Sequence, residues 1–466
     1  METYPQPSNI LERFNRWIEE SITVKLVSIG FLVLILLIPS AWIQSLMEER
    51  ELRAGEVINE VSSKWSGPQT LSGPILVIPY KREVSRTDHA KGTVEITETI
   101  ENYYFLPEKL DIKGDIQPEE LHRGIFDVAV YSSALALNST FVKPDFKSLG
   151  ISEDKVLWKD AHMIFSISDL RGISDNPVFK IGGVDKSTEP SNQLGITFNG
   201  LAGDYAQPGV ENSLNNTSSG IIARLGWLTS DDFKESTAVS INLKGSQQLS
   251  FVPTGKTTTV KLEGKWGNPS FDGEFLPVDR SVSESAFSAN WKILHYNRPF
   301  AQQWTRSTAS FSGYEFGVKL LVPVDQYQKS IRTSKYGQLI IILTFVALFL
   351  VEITKKIRIH PFQYILIGVA LIIYYTLLLS LSEQVGYNIA YWISAASTVG
   401  LISFYSTSFL KSTNLVVLFT SLLAIFYTFI FIIILQQDFS LLLGSIGLFM
   451  IVGALMYFSR KVEWYK

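Results

Sequence analysis

Six stretches of this chain are apolar over roughly the 20 residues that a helix needs to cross a bilayer core, and they govern what it can fold into. The first covers residues 24–47 and contains the run Ile29-Gly30-Phe31-Leu32-Val33-Leu34-Ile35-Leu36-Leu37-Ile38. Five more follow a long polar middle, at residues 336–353, 362–382, 387–410, 415–435 and 439–458. In hydrocarbon a segment must satisfy its own backbone hydrogen bonds, so each run is read as a helix, and Pro39 is tolerable inside one. The segment before the first run is long and carries Glu12, Glu19 and Glu20, with no small-x-small cleavage pattern after it. That favours an uncleaved signal-anchor over a removable leader.

Basic residues next to the spans set the orientation. Arg13, Arg16 and Lys25 flank the first span, and Lys355, Lys356 and Arg358 lie between the second and third. Lys411 lies between the fourth and fifth, and Arg460, Lys461 and Lys466 follow the sixth. The alternate loops, Glu383-Gln384-Val385-Gly386 and Gln436-Gln437-Asp438, have no basic residue. With six spans all the basic clusters share one side. Both termini are then cytoplasmic and the middle is outside, against the local dissent of Arg332 and Lys335.

Charged residues make up 18% of the 466 residues, against about 25% in a typical soluble chain. A formal net charge of -3 argues against a nucleic-acid partner, which requires a basic face. With no cysteine there are no disulfides, iron–sulfur clusters or thiolate zinc sites. The five histidines (His89, His122, His162, His295, His360) lack metal-ligand spacing, so neither metal nor cofactor is expected.

The middle is read as β-rich. Residues 48–64 are charged, with Val57, Val61 and Trp65 in a helical stripe that predicts a helix emerging from the membrane and stopping at Gly67-Pro68. Period-two alternation then takes over at Val94/Ile96/Ile100, Val239/Ile241/Leu243, Val260/Leu262 and Phe316/Val318/Leu320/Val322. Turn-forming clusters such as Gly200-Leu201-Ala202-Gly203 and Asn215-Asn216-Thr217-Ser218-Ser219-Gly220 separate the strands. This predicts a sandwich-like domain, with a division into subdomains near residues 185–220.

Motifs that suggest chemistry have simpler explanations. Thr254-Gly255-Lys256-Thr257-Thr258 lacks the first glycine of a phosphate loop, since Ser250 holds that position, and is read as a hairpin connection. Ser152-Glu153-Asp154-Lys155 and Ser174-Asp175-Asn176 echo two motifs of serine acyl-transferases, but no Lys-Thr-Gly accompanies them. The acidic pairs Asp231-Asp232 and Glu119-Glu120 are adjacent, and adjacent strand residues point to opposite faces. In the spans, ionisable Glu352, Glu383 and Asp438 lie near the ends, which disfavours a midplane ion site. Serines and threonines in the fourth span (Ser394, Ser397, Thr398, Ser403, Ser406, Thr407) either line a cavity or bond within the bundle.

The most specific sequence lies where the middle meets the terminal spans. It reads Phe287-Ser288-Ala289-Asn290-Trp291-Lys292-Ile293-Leu294-His295-Tyr296-Asn297-Arg298, then Pro323-Val324-Asp325-Gln326-Tyr327-Gln328-Lys329. His360-Pro361-Phe362-Gln363-Tyr364-Ile365-Leu366-Ile367-Gly368 and the run LLLSLSEQVG over residues 377–386 follow. With Gly73-Pro74-Ile75-Leu76-Val77-Ile78-Pro79-Tyr80 and Arg460-Lys461-Val462-Glu463-Trp464-Tyr465, the chain resembles, over nearly its whole length, the CreD family of bacterial inner-membrane cell envelope integrity proteins. The resemblance implies an inner-membrane location, a periplasmic middle domain and a link to envelope stress and β-lactam response. It implies no reaction, ligand or catalytic residue. In the resembling pattern a histidine follows the glutamate after the third span, whereas Glu383 here precedes Gln384, which argues against a proton-linked role for that loop.

The expected architecture is a six-helix transmembrane bundle plus a large β-rich, sandwich-like periplasmic domain. It comprises a cytoplasmic segment (1–23), a first span (24–47), the β-rich domain (48–333), a five-helix bundle (336–459) and a cytoplasmic tail (460–466). The expected function is non-enzymatic, with the outer domain sensing or binding an envelope component and the helices anchoring it in the lipid bilayer. Its partner is that component or another membrane protein. The alternatives are a transporter or lipid-handling protein, and a periplasmic cell-wall enzyme. The candidate functional junction is Trp291, His295, Asn297, Arg298, Asp325 and Tyr327.

Overall fold

A computed structural model describes residues 22–88, 93–192, 194, 196, 219–305, 311–321, 325–355, 357–436 and 439–460. The expected N-terminal segment up to residue 21, the tail beyond Arg460, the turn clusters at 200–203 and 215–218, His89 and Pro323-Val324 lie outside the described residues. The chain divides into two compact units, one made of Met1–Ala54 with Val324–Lys466, the other of Gly55–Pro323.

The expected first span and the helix emerging from it are a single element, α1, which runs 44 residues from Ile22 to Trp65 through Pro39. The predicted stripe faces inward, with Val57 buried and Val61 and Trp65 half-buried. Helix α2 (Asp325–Lys335) precedes α3 (Gly337–Lys355), so the second apolar run has a polar helix before it rather than a loop. Then come α4 (Pro361–Val385), α5 (Tyr387–Leu410), α6 (Thr413–Leu435) and α7 (Ser440–Ser459). Among the described residues, five helical stretches are long and apolar enough to cross a membrane: Thr23–Trp65, Tyr327–Lys355, Pro361–Val385, Tyr387–Leu410 and Thr413–Leu435. Helix α7 adds a shorter apolar stretch, Leu442–Ala454.

The starts and turns of these helices follow from local chemistry. His360 caps α4: its Nδ1 accepts from Phe362 N–H (3.2 Å), while Gln363 Oε1 accepts from His360 N–H (2.9 Å). Pro361 occupies the first helical position, where its missing N–H costs nothing. Gly386, at φ +77°, makes the bend between α4 and α5. Small residues permit close approach, since a Cβ on Gly368 would lie 2.2 Å from Leu36 Cδ1. One on Gly447 would lie 1.9 Å from Phe429 Cζ.

The other unit is built from two sheets. The first contains β1 (Gln69–Asp88), β2 (Thr93–Phe105), β5 (His162–Ile167), β8 (Thr188–Ser191), β9 (Gly220–Arg224), β11 (Gln248–Phe251), β13 (Pro269–Gly273), β16 (Gln303–Thr305) and β17 (Phe316–Leu320). The second contains β3 (Lys109–Arg123), β4 (Phe126–Thr140), β6 (Val178–Ile181), β7 (Val184–Lys186), β10 (Ser236–Ser246), β12 (Thr257–Gly264), β14 (Asp279–Val282) and β15 (Phe287–Leu294). One apolar core takes residues from both, including Leu76, Phe165 and Phe251 from the first and Ile112, Leu135 and Leu262 from the second. The predicted alternation at Val239/Ile241/Leu243, Val260/Leu262 and Phe316/Val318/Leu320 is buried as read.

Three expectations need correction. Ile96 and Ile100 are exposed, because among the described residues the ladder of β1 beyond Tyr80 runs on β2 alone and no second layer covers that ribbon. The segment 254–258 is not a hairpin connection, since it carries the chain from β11 in one sheet to β12 in the other. No subdomain division near 185–220 is seen among the described residues, since Gly55–Pro323 forms one compact unit in which β8 pairs with β9.

The end of α1 is fixed by polar groups of this unit. Ser246 Oγ donates to Ser62 Oγ (2.8 Å), Arg171 Nη1 donates to Ser63 O (2.6 Å), and Lys244 Nζ lies over the Trp65 ring. Asp169 accepts from Gly67 N–H (2.9 Å), Ser66 Oγ (3.2 Å) and Arg171 Nε and Nη2 (2.9 and 2.7 Å). Burial alone would raise its pKa, but the Arg171 guanidinium and the Gly67 and Arg171 N–H groups hold it down at about 2. A carboxyl depressed in the folded state stabilises above its unfolded pKa and loses that contribution as pH falls through the folded value. Asp169→Asn is therefore expected to cost about 2 kcal/mol near neutral pH, with the gap to the unsubstituted protein closing between pH ~4 and ~2. Urea unfolding across that window checks this, and a gap independent of pH would contradict it.

Candidate functional site

The six junction residues do not form one site. Trp291 is core: its ring packs on Phe271 and Phe316 (centroids 5.8 and 5.7 Å), and Nε1 donates to Phe275 O (3.1 Å). His295 lies against the Tyr296 ring at a tilt, and Asn297 Oδ1 accepts from Leu294 N–H (3.0 Å), which closes a single turn at the end of β15. Tyr327 belongs to the helical unit, where its hydroxyl donates to Glu383 (3.3 Å). The side chain of Asp325 lies outside the described residues.

Arg298 is the chemically unusual member. It is 6% exposed, and its partners are neutral oxygens: Phe300 O (2.6 Å), Gln302 Oε1 (2.6 Å), Thr254 O (3.1 Å) and Gly255 O (3.5 Å). Its guanidinium also lies 4.1 Å from the Phe300 ring centroid. Desolvation pulls its pKa down to about 10, so it stays charged at neutral pH. Gln302 passes the link on by donating to Pro107 O (2.7 Å). The arginine thus clamps the sheet-to-sheet crossing at 254–255 to the segments around Pro107 and Phe300, which is a structural use of a planar fork of donors.

The other motifs dissolve into local structure. Lys256, in the segment resembling a phosphate loop, pairs with Glu108 (2.8 Å). Lys155 pairs with Glu83 (2.8 Å), while Ser174 Oγ donates to Asn242 O and Asp175 accepts from Asn242 Nδ2. Asp232 accepts from the N–H groups of Leu228 and Thr229, capping its own turn. His122 contacts Asp127 across the β3–β4 hairpin, which raises its pKa. Burial lowers that of His162. Among the described residues no group of three His, Asp or Glu is placed to hold a metal ion.

Composition and spacing did not point to the strongest polar cluster, which lies in the helical unit. Glu352, in the last turn of α3, is 3% exposed and pairs with Lys25 of α1 (2.8 Å). Its second oxygen accepts from Tyr364 of α4 (3.0 Å), and Ile359 N–H approaches the first (3.4 Å). Beside it lies a cavity of about 490 Å³, lined by Lys25, Ser28, Ile29, Leu32, Glu352, Arg358, Ile359, His360, Pro361 and Tyr364. The sequence signal was present in Glu352 itself, because a carboxylate in an otherwise apolar helix needs a partner. By contrast, three of the six hydroxyls singled out in α5 bond within their own helix, while that of Ser394 is buried without a hydrogen-bond partner among the described residues. Ser403, Ser406 and Thr407 donate to carbonyls of their own helix, and Thr420 of α6 donates to Ser403.

Several membrane-spanning helices together with a separate two-sheet unit define a polytopic membrane protein with a large β-rich insertion after its first span. The family described as "Inner membrane protein CreD" matches residues 21–465. The chain is also 31% identical, over 455 residues, to the "Inner membrane protein CreD" of Escherichia coli (strain K12), covering 95% of this chain and 93% of that one. The chain belongs to the CreD family.

Two pairs of variants separate packing from charge. Arg298→Met is expected to cost about 2–4 kcal/mol in unfolding of the β-rich unit, because it strands buried carbonyls. Arg298→Lys should recover only part of this, since one ammonium cannot span the fork. In the helical unit, Lys25→Met leaves Glu352 buried without its cation and is expected to cost about 2–3 kcal/mol, discounted for the partial exposure of Lys25. Lys25→Met combined with Glu352→Met should return close to the original stability. Thermal unfolding in detergent tests both, and a double variant as damaged as the single one would contradict the pairing.

Proposed function

We propose that the protein is an inner-membrane envelope-integrity protein with six spans, both termini in the cytoplasm and the β-rich unit in the periplasm. The sixth span in this reading is α7. The β-rich unit senses or binds an envelope component, no reaction is assigned to the chain, and the helices anchor that unit and carry its state to the membrane. The orientation rests on the basic residues flanking alternate loops, and the location on membership of a family described as inner-membrane.

One observation carries the reading. Helix α1 is unbroken from Ile22 to Trp65, gripped at Lys25 by Glu352 and at Ser62, Ser63 and Trp65 by groups of the β-rich unit. A rod held at both ends can pass a rearrangement along itself, provided two states exist for it to report. The transporter alternative draws less support, since Ser403, Ser406 and Thr407 of α5 donate to carbonyls of their own helix.

Two experiments test this. Alkaline phosphatase fused after residue 66 should be active, whereas a fusion at the C-terminus should be inactive and fluoresce when replaced by a green fluorescent protein. Insertion of two glycines after Leu52 should leave the protein in the membrane with an intact β-rich unit, yet fail to restore the envelope phenotype of a deletion strain. If removal of residues 66–321 left that phenotype intact, the sensing role would be wrong.

A further inference from the structure

Five tyrosines meet inside the helical unit, none of them more than 4% exposed. Tyr374 and Tyr375 lie at the middle of α4, far from the span ends where such rings usually anchor. Tyr387 and Tyr391 belong to the start of α5, and Tyr427 to α6. The Tyr374 ring lies 4.8 Å from those of Tyr375 and Tyr427 and 5.9 Å from that of Tyr391, centroid to centroid. Their hydroxyls are within electrostatic reach of one another, yet few are paired. Tyr391 donates to Tyr427 O (2.7 Å), and Tyr387 shares a hydrogen bond with Thr333 of α2 (2.6 Å). The hydroxyls of Tyr375 and Tyr427 have no partner among the described residues, and that of Tyr374 approaches Tyr391 without hydrogen-bond geometry. Ser394, fully buried one turn along α5 from Tyr391, also lacks a partner among them.

Phenylalanine would fill the same space without stranding a hydroxyl away from water, which is costly. Hydroxyls gathered in this way call for a guest that both donates and accepts. They carry no charge, which favours a neutral guest, and rings this close admit only a small one. Water satisfies each condition, since it needs two to four polar neighbours and only about 30 Å³. We propose that Tyr374, Tyr375, Tyr427 and Ser394 hold a cluster of internal water in the middle of the helical unit, in exchange with bulk solvent along α2. Helix α2 packs on α4, α5 and α6, and its inner face presents Ser330 and Thr333, both fully buried. Thr333 joins that face to Tyr387, whose ring lies 5.8 Å from that of Tyr391, so hydroxyls continue from α2 to the middle of α4. Ser330 Oγ, one turn from Thr333, likewise has no partner among the described residues. Such water is held whether or not the β-rich unit senses an envelope component.

X-ray radiolysis of the full chain in detergent, read by mass spectrometry, marks side chains that touch water, because hydroxyl radicals form from the water beside them. Tyr374, Tyr375 and Tyr427 are expected to oxidise at least fivefold faster, after correction for intrinsic reactivity, than the equally buried Phe419 of α6. After rapid mixing into water enriched in oxygen-18, the added oxygen should be the heavy isotope. Ser330→Ala, which removes a hydroxyl from the α2 face without adding volume, should slow its arrival severalfold. Tyr375→Phe and Tyr427→Phe should each lower the thermal unfolding midpoint by about 2–4 °C, because the water loses a partner. In dry packing the same changes would relieve a stranded hydroxyl. Oxidation no faster than that of Phe419, or a midpoint that holds or rises in either Phe variant, would overturn the internal water. Incorporation of the light isotope, or uptake unaffected by Ser330→Ala, would overturn the exchange along α2.

Discussion

Every backbone N–H and C=O removed from water must be paired inside the molecule, and the two units meet that demand in the two ways open to a chain. In the helical unit each span closes its own hydrogen bonds, which is the only solution available against lipid. In the β-rich unit the pairing is shared among distant strands, so the core between the sheets requires most of the unit's chain at once. The helical unit can be assembled element by element, while the β-rich unit is satisfied only as a whole.

Against that background three charges that join segments distant in sequence stand out, and each is handled differently. Asp169 is held by a guanidinium and backbone donors where α1 ends. Arg298 is balanced by carbonyl dipoles and an aromatic face. Glu352 is matched by an ammonium and a phenol from two other helices. Such arrangements add little net stability compared with apolar packing, but they penalise any wrong alignment of the elements they join. All three lie where segments distant in sequence must meet in one register.

How much of this was legible depended on whether the signal was local. Span positions follow from runs of apolar residues, and the alternation at Val239/Ile241/Leu243 foretold a buried strand face, because both patterns are written along the chain. The alternation at Ile96/Ile100 has the same form yet faces solvent, since burial depends on what lies opposite and, among the described residues, the ladder of β1 runs on β2 alone there. The unbroken course of α1 was hidden by the change from apolar to charged residues at 48, which alters the surroundings of a helix without altering its backbone. The junction was singled out as the most distinctive sequence, but its Trp291 and Asn297 serve packing and turn closure. The pair Lys25–Glu352 spans 327 residues, and no spacing rule reaches that far.

The parallel pairings carry a consequence for how the protein is made. Strand β1, the first to leave the ribosome, has β11 as its parallel partner at Gln69↔Leu249, and β3 has β12 at Lys109↔Thr257. Neither sheet can therefore close while synthesis is under way in the first half of the unit, and β17, which pairs with both β11 and β13, completes the first sheet only at Leu320. By then the apolar segments of the bundle are the next to emerge. A nascent chain must keep some 250 residues of strand-forming sequence unpaired or provisionally paired until that moment, the regime in which non-local topologies fold slowly and expose edges. Biogenesis of this protein thus depends on whatever shields an unfinished sheet at the membrane surface during translation.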